Sequence, residues 1–415
     1  MSNGKKKILI IGAGINQLPI IQIAKNLGYY VITVSVQGQY PGFDVADDFA
    51  FIDIFDVDAI IRFARQKQID GVLSDQSDMI APIVAQVAET LGLPTWGYEN
   101  ALDFTDKSRM RALYQRLGLP VPLNRATTIV EEAIEFAQET DYPIVIKPAD
   151  SFASRGVFII YNEQELKEFY PQSYDCSRAK KVIVEQYISG PQYFCQGFVD
   201  NGELTLYAFS DRYYFNLPHL SIPYTNAFPA KIDDALKNRM EEMFRKVVNA
   251  AHPTFGHVWA EWIYNDATDT LYIVETAIRG AGAYVTSHLL PAAYGVDSQP
   301  YLVRAAMGDS DSMFKKQKFD NKSAAFYCFL LPEGVVVSVK GLNEVADIPG
   351  VVQTNLKSIE IGEEIPAIKD KSSRYGPIIV KGDTREEVEG IWNKIQTTIQ
   401  IQVKTKDGLK GPIWD

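Results

Sequence analysis

Cysteine is scarce in this sequence, with only Cys176, Cys195 and Cys328 among 415 residues. An odd number without C-x-x-C spacing supports neither a disulfide framework nor a zinc site, and it fits a reducing cytoplasm. Basic charge is also in deficit: 41 Lys and Arg face 52 Asp and Glu, a formal net charge of −11. A nucleic-acid backbone needs a basic surface, so nucleic acid is not expected as a partner. No apolar run approaches the roughly 18 residues of a membrane span. Lys5-Lys6-Lys7 before Ile8–Ile11 resembles the start of a signal peptide, but Asn16 and Gln17 interrupt it and no cleavage-like site follows. The expectation is a cytoplasmic protein without a membrane partner. Repeats and low-complexity tracts are absent too.

What is present is a globular composition, 46% apolar and 22% charged, in a chain long enough for two or three domains. Residues 1–105 alternate short apolar strands with amphipathic helices, which predicts a parallel α/β domain covered on both faces. Gly12 and Gly14 follow the first strand, but Gln17 stands where a dinucleotide fingerprint needs its third glycine, so a structural turn is the better reading. From Thr105 the texture changes. Thr105 is expected to cap a helix reaching Leu117. The strand Tyr142–Lys147, the loop A-D-S-F-A-S-R-G and the strand Val157–Tyr161 predict a flap able to close over phosphates, within a subdomain at about 145–210. Asn201-Gly202 is a hairpin turn, and a helix runs from about Asp233 to Ala251. Residues 309–322 look like a linker, placing an α/β and α+β domain at 106–310 and a small α+β domain at 311–415.

The chemistry concentrates at 257–282, H-V-W-A-E-W-I-Y-N-D-A-T-D-T-L-Y-I-V-E-T-A-I-R-G-A-G. This reads as a hairpin with one carboxylate per strand, Glu261 and Glu275, on an apolar background. Two acids so placed suit Mg²⁺, which is usually held by one or two carboxylates together with substrate phosphates; Mn²⁺ is an alternative. Two-residue alternation puts Glu275 and Arg279 on one face, a metal site beside an anion clamp. A buried acid pair with other partners is the structural alternative.

Lys107 in D-K-S-R-M-R, Lys147 before the flap, V-E-Q-Y-I at 184–188 and the Glu261/Glu275/Arg279 group occur in an order and spacing that resemble the ATP-grasp superfamily. The similarity is to ligases related to the carbamoyl-phosphate synthetase large subunit, biotin carboxylase and L-amino acid ligases. It extends to R-Y-G-P-I-I-V-K-G-D-T-R-E-E, which looks like the biotin carboxylase C-terminal domain. The resemblance implies a leading domain, an ATP-grasp domain with a mobile flap, and a C-terminal domain. Lys107 and Lys147 would reach ATP phosphates, with Ser154, Arg155 and Gly156 in the flap. The main chain around Glu185, Gln186, Tyr187 and Ile188 would hold adenine, and Gln192 the ribose where the family usually has Glu. Family members commonly read E-x-N-x-R; here Ala277 replaces the Asn and cannot ligate a metal.

The activity so implied is ATP-dependent activation of a carboxylate as an acyl phosphate, then amide formation with an amine and release of ADP and phosphate. Lys147 and Arg279 are the expected catalytic residues. Arg279, Gly280, Gly282, Arg212 and His288 are candidates for substrate contact. Two alternatives stand beside it: bicarbonate activation, from which Ala281, Gly282 and Ala283 lack the biotin carboxylase base, and a non-catalytic ATP-binding module. The partners expected are ATP and small carboxylates and amines, with a homodimer allowed.

Overall fold

The computed structural model describes residues 4–151, 153–309 and 313–415. Strands Lys7–Ile11, Tyr30–Ser35, Asp48–Phe51 and Gly71–Leu73 form a parallel sheet in the order third, second, first, fourth. Their β-branched runs are buried because helices cover both faces, among them Leu18–Asn26, Val57–Lys67 and Ala81–Leu91. The Gly12–Gly14 turn is filled from within. A Cβ on Gly12 would meet the Gln17 side chain at 3.2 Å, and that side chain donates to the Asp75 carbonyl at 2.9 Å.

The helix that begins the next region spans Lys107–Arg116. Its cap is Asp106, whose carboxylate accepts from Arg109 N–H, and not Thr105, whose hydroxyl turns back to the Ala101 carbonyl at 2.9 Å. Lys107 and Arg111, four apart, lie on one face of this helix.

An eight-stranded sheet forms the body of the molecule. Ala260 and Trp262 pack on one face under the helix Asp234–Ala250. Alternation turns Trp259 and Glu261 to the other face, towards a smaller antiparallel sheet. That second sheet pairs Asn124–Thr127, Val182–Gln186, Ile144–Pro148 and Phe158–Ile160 in this order and carries the flap. Asn201 and Gly202 both adopt left-handed φ in the hairpin turn between Gln192–Asp200 and Glu203–Tyr214.

The expected linker is not a free tether. Phe314 is fully buried and packs on Phe198 at 4.7 Å between ring centroids; residues 310–312, where the expected domain boundary falls, lie outside the described residues. Beyond it, Ser323–Phe329 pairs with Pro223–Phe228 and Tyr375–Gly382, so the large sheet runs on into the C-terminal segment. A further four-stranded sheet and the helix Arg385–Thr398 complete the fold.

Candidate active site

Between the two main sheets lies a cavity of about 920 Å³. Glu261 and Glu275 are direct partners across the antiparallel hairpin Phe255–Asn265 and Thr270–Ala277. Their side chains therefore leave the sheet side by side on the cavity face. Neither is bare. Arg212 reaches Glu261 at 2.9 Å and Lys107 reaches Glu275 at 3.3 Å. Burial works to raise the Glu275 carboxyl, but Lys107, Lys371 and Arg279 outweigh it and hold it at about 2.

A second charged group forms the wall beside the flap. Glu185 accepts from Arg111 Nε at 2.6 Å and from Lys147 Nζ at 2.5 Å. All three side chains are nearly inaccessible, with Arg111 only 2% exposed. Burial opposes the Glu185 charge, yet Arg111 and then Lys147 keep it ionised, at about 2. For Lys147 burial prevails and lowers the ammonium to about 8, the neighbouring carboxylate offsetting only part of it. Lys107 also donates to the Ser151 carbonyl at 2.8 Å, tying the helix to the flap's base.

Lys107, Lys147, Ser154, Glu185, Gln186, Tyr187, Ile188, Gln192, Arg212, Glu261, Glu275, Arg279 and Gly282 all line this cavity. Among the described residues the main chain of Ile188 forms no hydrogen bond, whereas the N–H groups of Gln186 and Tyr187 are taken by the Leu123 and Pro143 carbonyls. Other expected site residues lie outside. Arg155 is exposed and does not line the cavity. Gly156 has φ +70° and is pressed against Pro148 and Cys176, where a Cβ would come within 2.9 Å and 3.0 Å of side-chain carbons. Gly280 N–H is spent on the buried Asp75 carboxylate at 2.5 Å. His288 shares a hydrogen bond with Ser287 at 2.8 Å and packs edge-on to Tyr284.

Residues not singled out in the sequence also stand here. Asp78 holds the Arg279 guanidinium through Nε at 2.6 Å and through a second, very short contact. It belongs to the loop after Gly71–Leu73, beside the strand where the sheet order switches, a place where open α/β sheets bind ligands. The polar run S-D-Q-S-D after a buried strand was the available signal. Arg279 also lies over the Trp259 ring, 4.9 Å from its centroid. Arg111 was legible as the residue four after Lys107. Lys371 and Arg374 enter from the C-terminal segment; Arg374 opens the R-Y-G-P stretch noted in the sequence, but nothing there assigned either residue to the site.

Comparison with known proteins follows the same outline. Residues 140–287 match the ATP-grasp domain model, 21–95 the ATP-grasp N-terminal domain and 328–404 the L-amino acid ligase C-terminal domain 2. The chain carries an ATP-grasp domain. The chain is 23% identical to the uncharacterized protein y4rH of Sinorhizobium fredii, over 99% of its own length and 84% of the relative's. It is 28% identical to the carbamoyl phosphate synthase large chain of Vibrio cholerae, but over 44% of its own length and only 18% of that protein's. Among solved structures, the L-amino acid ligase from Bacillus licheniformis superposes with a TM-score of 0.81 at 19% identity, covering 97% of this chain and 99% of the other. That likeness is one of fold.

Proposed function

We propose that this chain is an ATP-dependent, ADP-forming ligase that joins a carboxylate to an amine. The observation that carries the reading is one cavity holding the Glu261/Glu275 pair, Lys107, Lys147 and Arg279 under a flap. Seven cationic side chains face four acidic ones there, the balance a triphosphate with a carboxylate substrate would need in a chain that is acidic overall.

In this reading the adenine edge meets the free main chain at Ile188 and the ribose meets Gln192, whose amide oxygen accepts a hydroxyl without adding charge. Lys147 and Lys107 neutralise phosphate oxygens. Glu261 and Glu275 fit Mg²⁺ by donor chemistry: they are hard oxygen ligands, adjacent, and few enough that phosphates complete the shell. Mg²⁺ there would act as a Lewis acid on phosphoryl oxygens. Arg279, braced by Asp78, Trp259 and the Gly280 carbonyl, offers its remaining N–H groups to the substrate carboxylate. A carboxylate oxygen attacks the γ-phosphorus in line, the bond to the β,γ-bridging oxygen breaks, and ADP leaves. The amine nitrogen then attacks the carbonyl carbon of the acyl phosphate, gives up its proton, and phosphate departs. Protein groups contribute mostly positioning and charge, and the flap keeps water from the acyl phosphate.

A matrix of carboxylic acids against amines, read by ADP and phosphate release, tests this. Release that requires one member of each class supports the ligase. Release driven by bicarbonate alone would move the assignment to a carboxylating enzyme, and nucleotide binding with no turnover under any pairing would make it a binding module.

A further inference from the structure

The four acids lining the cavity all have cationic partners: Asp78 with Arg279, Glu185 with Arg111 and Lys147, Glu261 with Arg212, Glu275 with Lys107. Two of the seven cations are left over, and one of them, Arg374, is satisfied by the Lys371 and Pro223 carbonyls. Among the described residues the Lys371 ammonium forms neither a hydrogen bond nor an ion pair, although it lines the cavity and is only partly accessible. Taking an ammonium out of water is costly without a compensating anion, and Glu261 and Glu275 act on Lys371 only through space.

Its backbone is held firmly. The turn Lys371–Ser373 is set by Asp370, whose carboxylate accepts from Ser372 N–H at 2.7 Å. Arg374 closes it from below, donating to the Lys371 carbonyl at 3.2 Å and to the Pro223 carbonyl of the central sheet at 2.8 Å. From above, Lys371 N–H donates to the Ala153 carbonyl in the flap at 3.3 Å. Ala153 and Ser154 both sit at φ 58°, a left-handed conformation that non-glycine residues adopt only where neighbours enforce it. The C-terminal segment thus touches the flap at its strained point and sends one unpaired cation beneath it.

Resting on the ATP reading above, we propose that Lys371 is a phosphate-binding residue that the C-terminal segment supplies to the active site, where it engages the γ-phosphoryl group. Its place distinguishes it from Lys147. Lys147 is bound to Glu185 on the flap's sheet, the side of the adenine wall. The charges around Lys371 are those of Glu261, Arg212, Arg374 and Glu275, the end where the phosphoryl group is transferred.

Binding calorimetry on the full chain tests the assignment, using MgADP and the magnesium complex of the non-hydrolysable β,γ-imido analogue of ATP. K371M is expected to bind MgADP within about twofold of the original chain, but the γ-phosphate-bearing analogue at least roughly tenfold more weakly, as loss of a charge-assisted contact predicts. K371R should recover most of that loss. K371Q serves in the same role should the methionine variant fold poorly. Equal effects on both nucleotides, or none on either, would overturn the proposal. Failure of the unaltered chain to bind MgADP at all would remove the ATP reading itself, and this assignment with it.

Discussion

Glu185→Gln is the most searching single change in this site. It keeps the shape but removes the one negative charge that compensates two buried cations, Arg111 at 2.6 Å and Lys147 at 2.5 Å. The amide oxygen can still accept one hydrogen bond from Arg111, so the loss belongs near the lower end of the ~3–5 kcal/mol expected on breaking a buried pair. The direction of its acidity shift agrees. Lowering of the carboxyl from its ordinary 4.5 to about 2 corresponds to ~3 kcal/mol of native-state stabilisation by linkage. The sign fixes the pH dependence. A carboxylate with a depressed native pKa contributes its full stability above the unfolded value of 4.5 and loses it as pH falls towards 2. Urea unfolding should therefore show the variant ~3 kcal/mol less stable at pH 7, with the gap narrowing by ~1 kcal/mol at pH 3.5. A gap below ~1 kcal/mol at pH 7, or one that does not change with pH, would refute the account of this buried group.

Two further expectations concern the phosphate end. Glu275→Gln should keep the fold, with a lower thermal transition because its cationic neighbours lose their counter-charge, while lowering Mg-dependent ADP formation by roughly a hundredfold or more, as loss of a metal carboxylate predicts; near-normal turnover would remove the metal role. Burial lowers both Lys147 and Lys371 to about 8, so each is partly deprotonated at pH 8.5, and an arriving phosphate favours the ammonium form. Nucleotide binding at pH 8.5 should then take up protons, visible as a calorimetric heat that depends on the buffer's ionisation enthalpy, and affinity should fall from pH 7 to pH 9. Heats identical across buffers would contradict this.

Short apolar strands between amphipathic helices marked the parallel α/β start, and the N-D-A-T-D-T turn between two β-branched runs marked the hairpin, though not its full register. Continued without interruption, the turn's register would set Glu261 opposite Val274 and turn Glu275 to the other face; a bulge between Glu261 and Trp262 shifts the pairing by one and makes the two acids neighbours. Lys107 and Lys147 stood out by the motifs around them, and both line the cavity. Gly156 and Gly280 looked like phosphate- or substrate-facing glycines, yet each is needed for close packing against Pro148 and Asp75. A glycine's local sequence does not say whether ligand or protein fills the space beside it.

What the sequence settled by itself was therefore local: strand and helix period, one acid on each strand of a hairpin, the lysine ahead of the flap. Only tertiary structure decided that Asp78 braces Arg279 across 201 positions of chain, that Glu185 turns its carboxylate inward to Arg111 and Lys147, and that Lys371 comes under the flap from the C-terminal segment. Those contacts depend on how separate sheets stack, and charge–charge attraction at 2–4 Å acts on spatial neighbours whatever their separation along the chain.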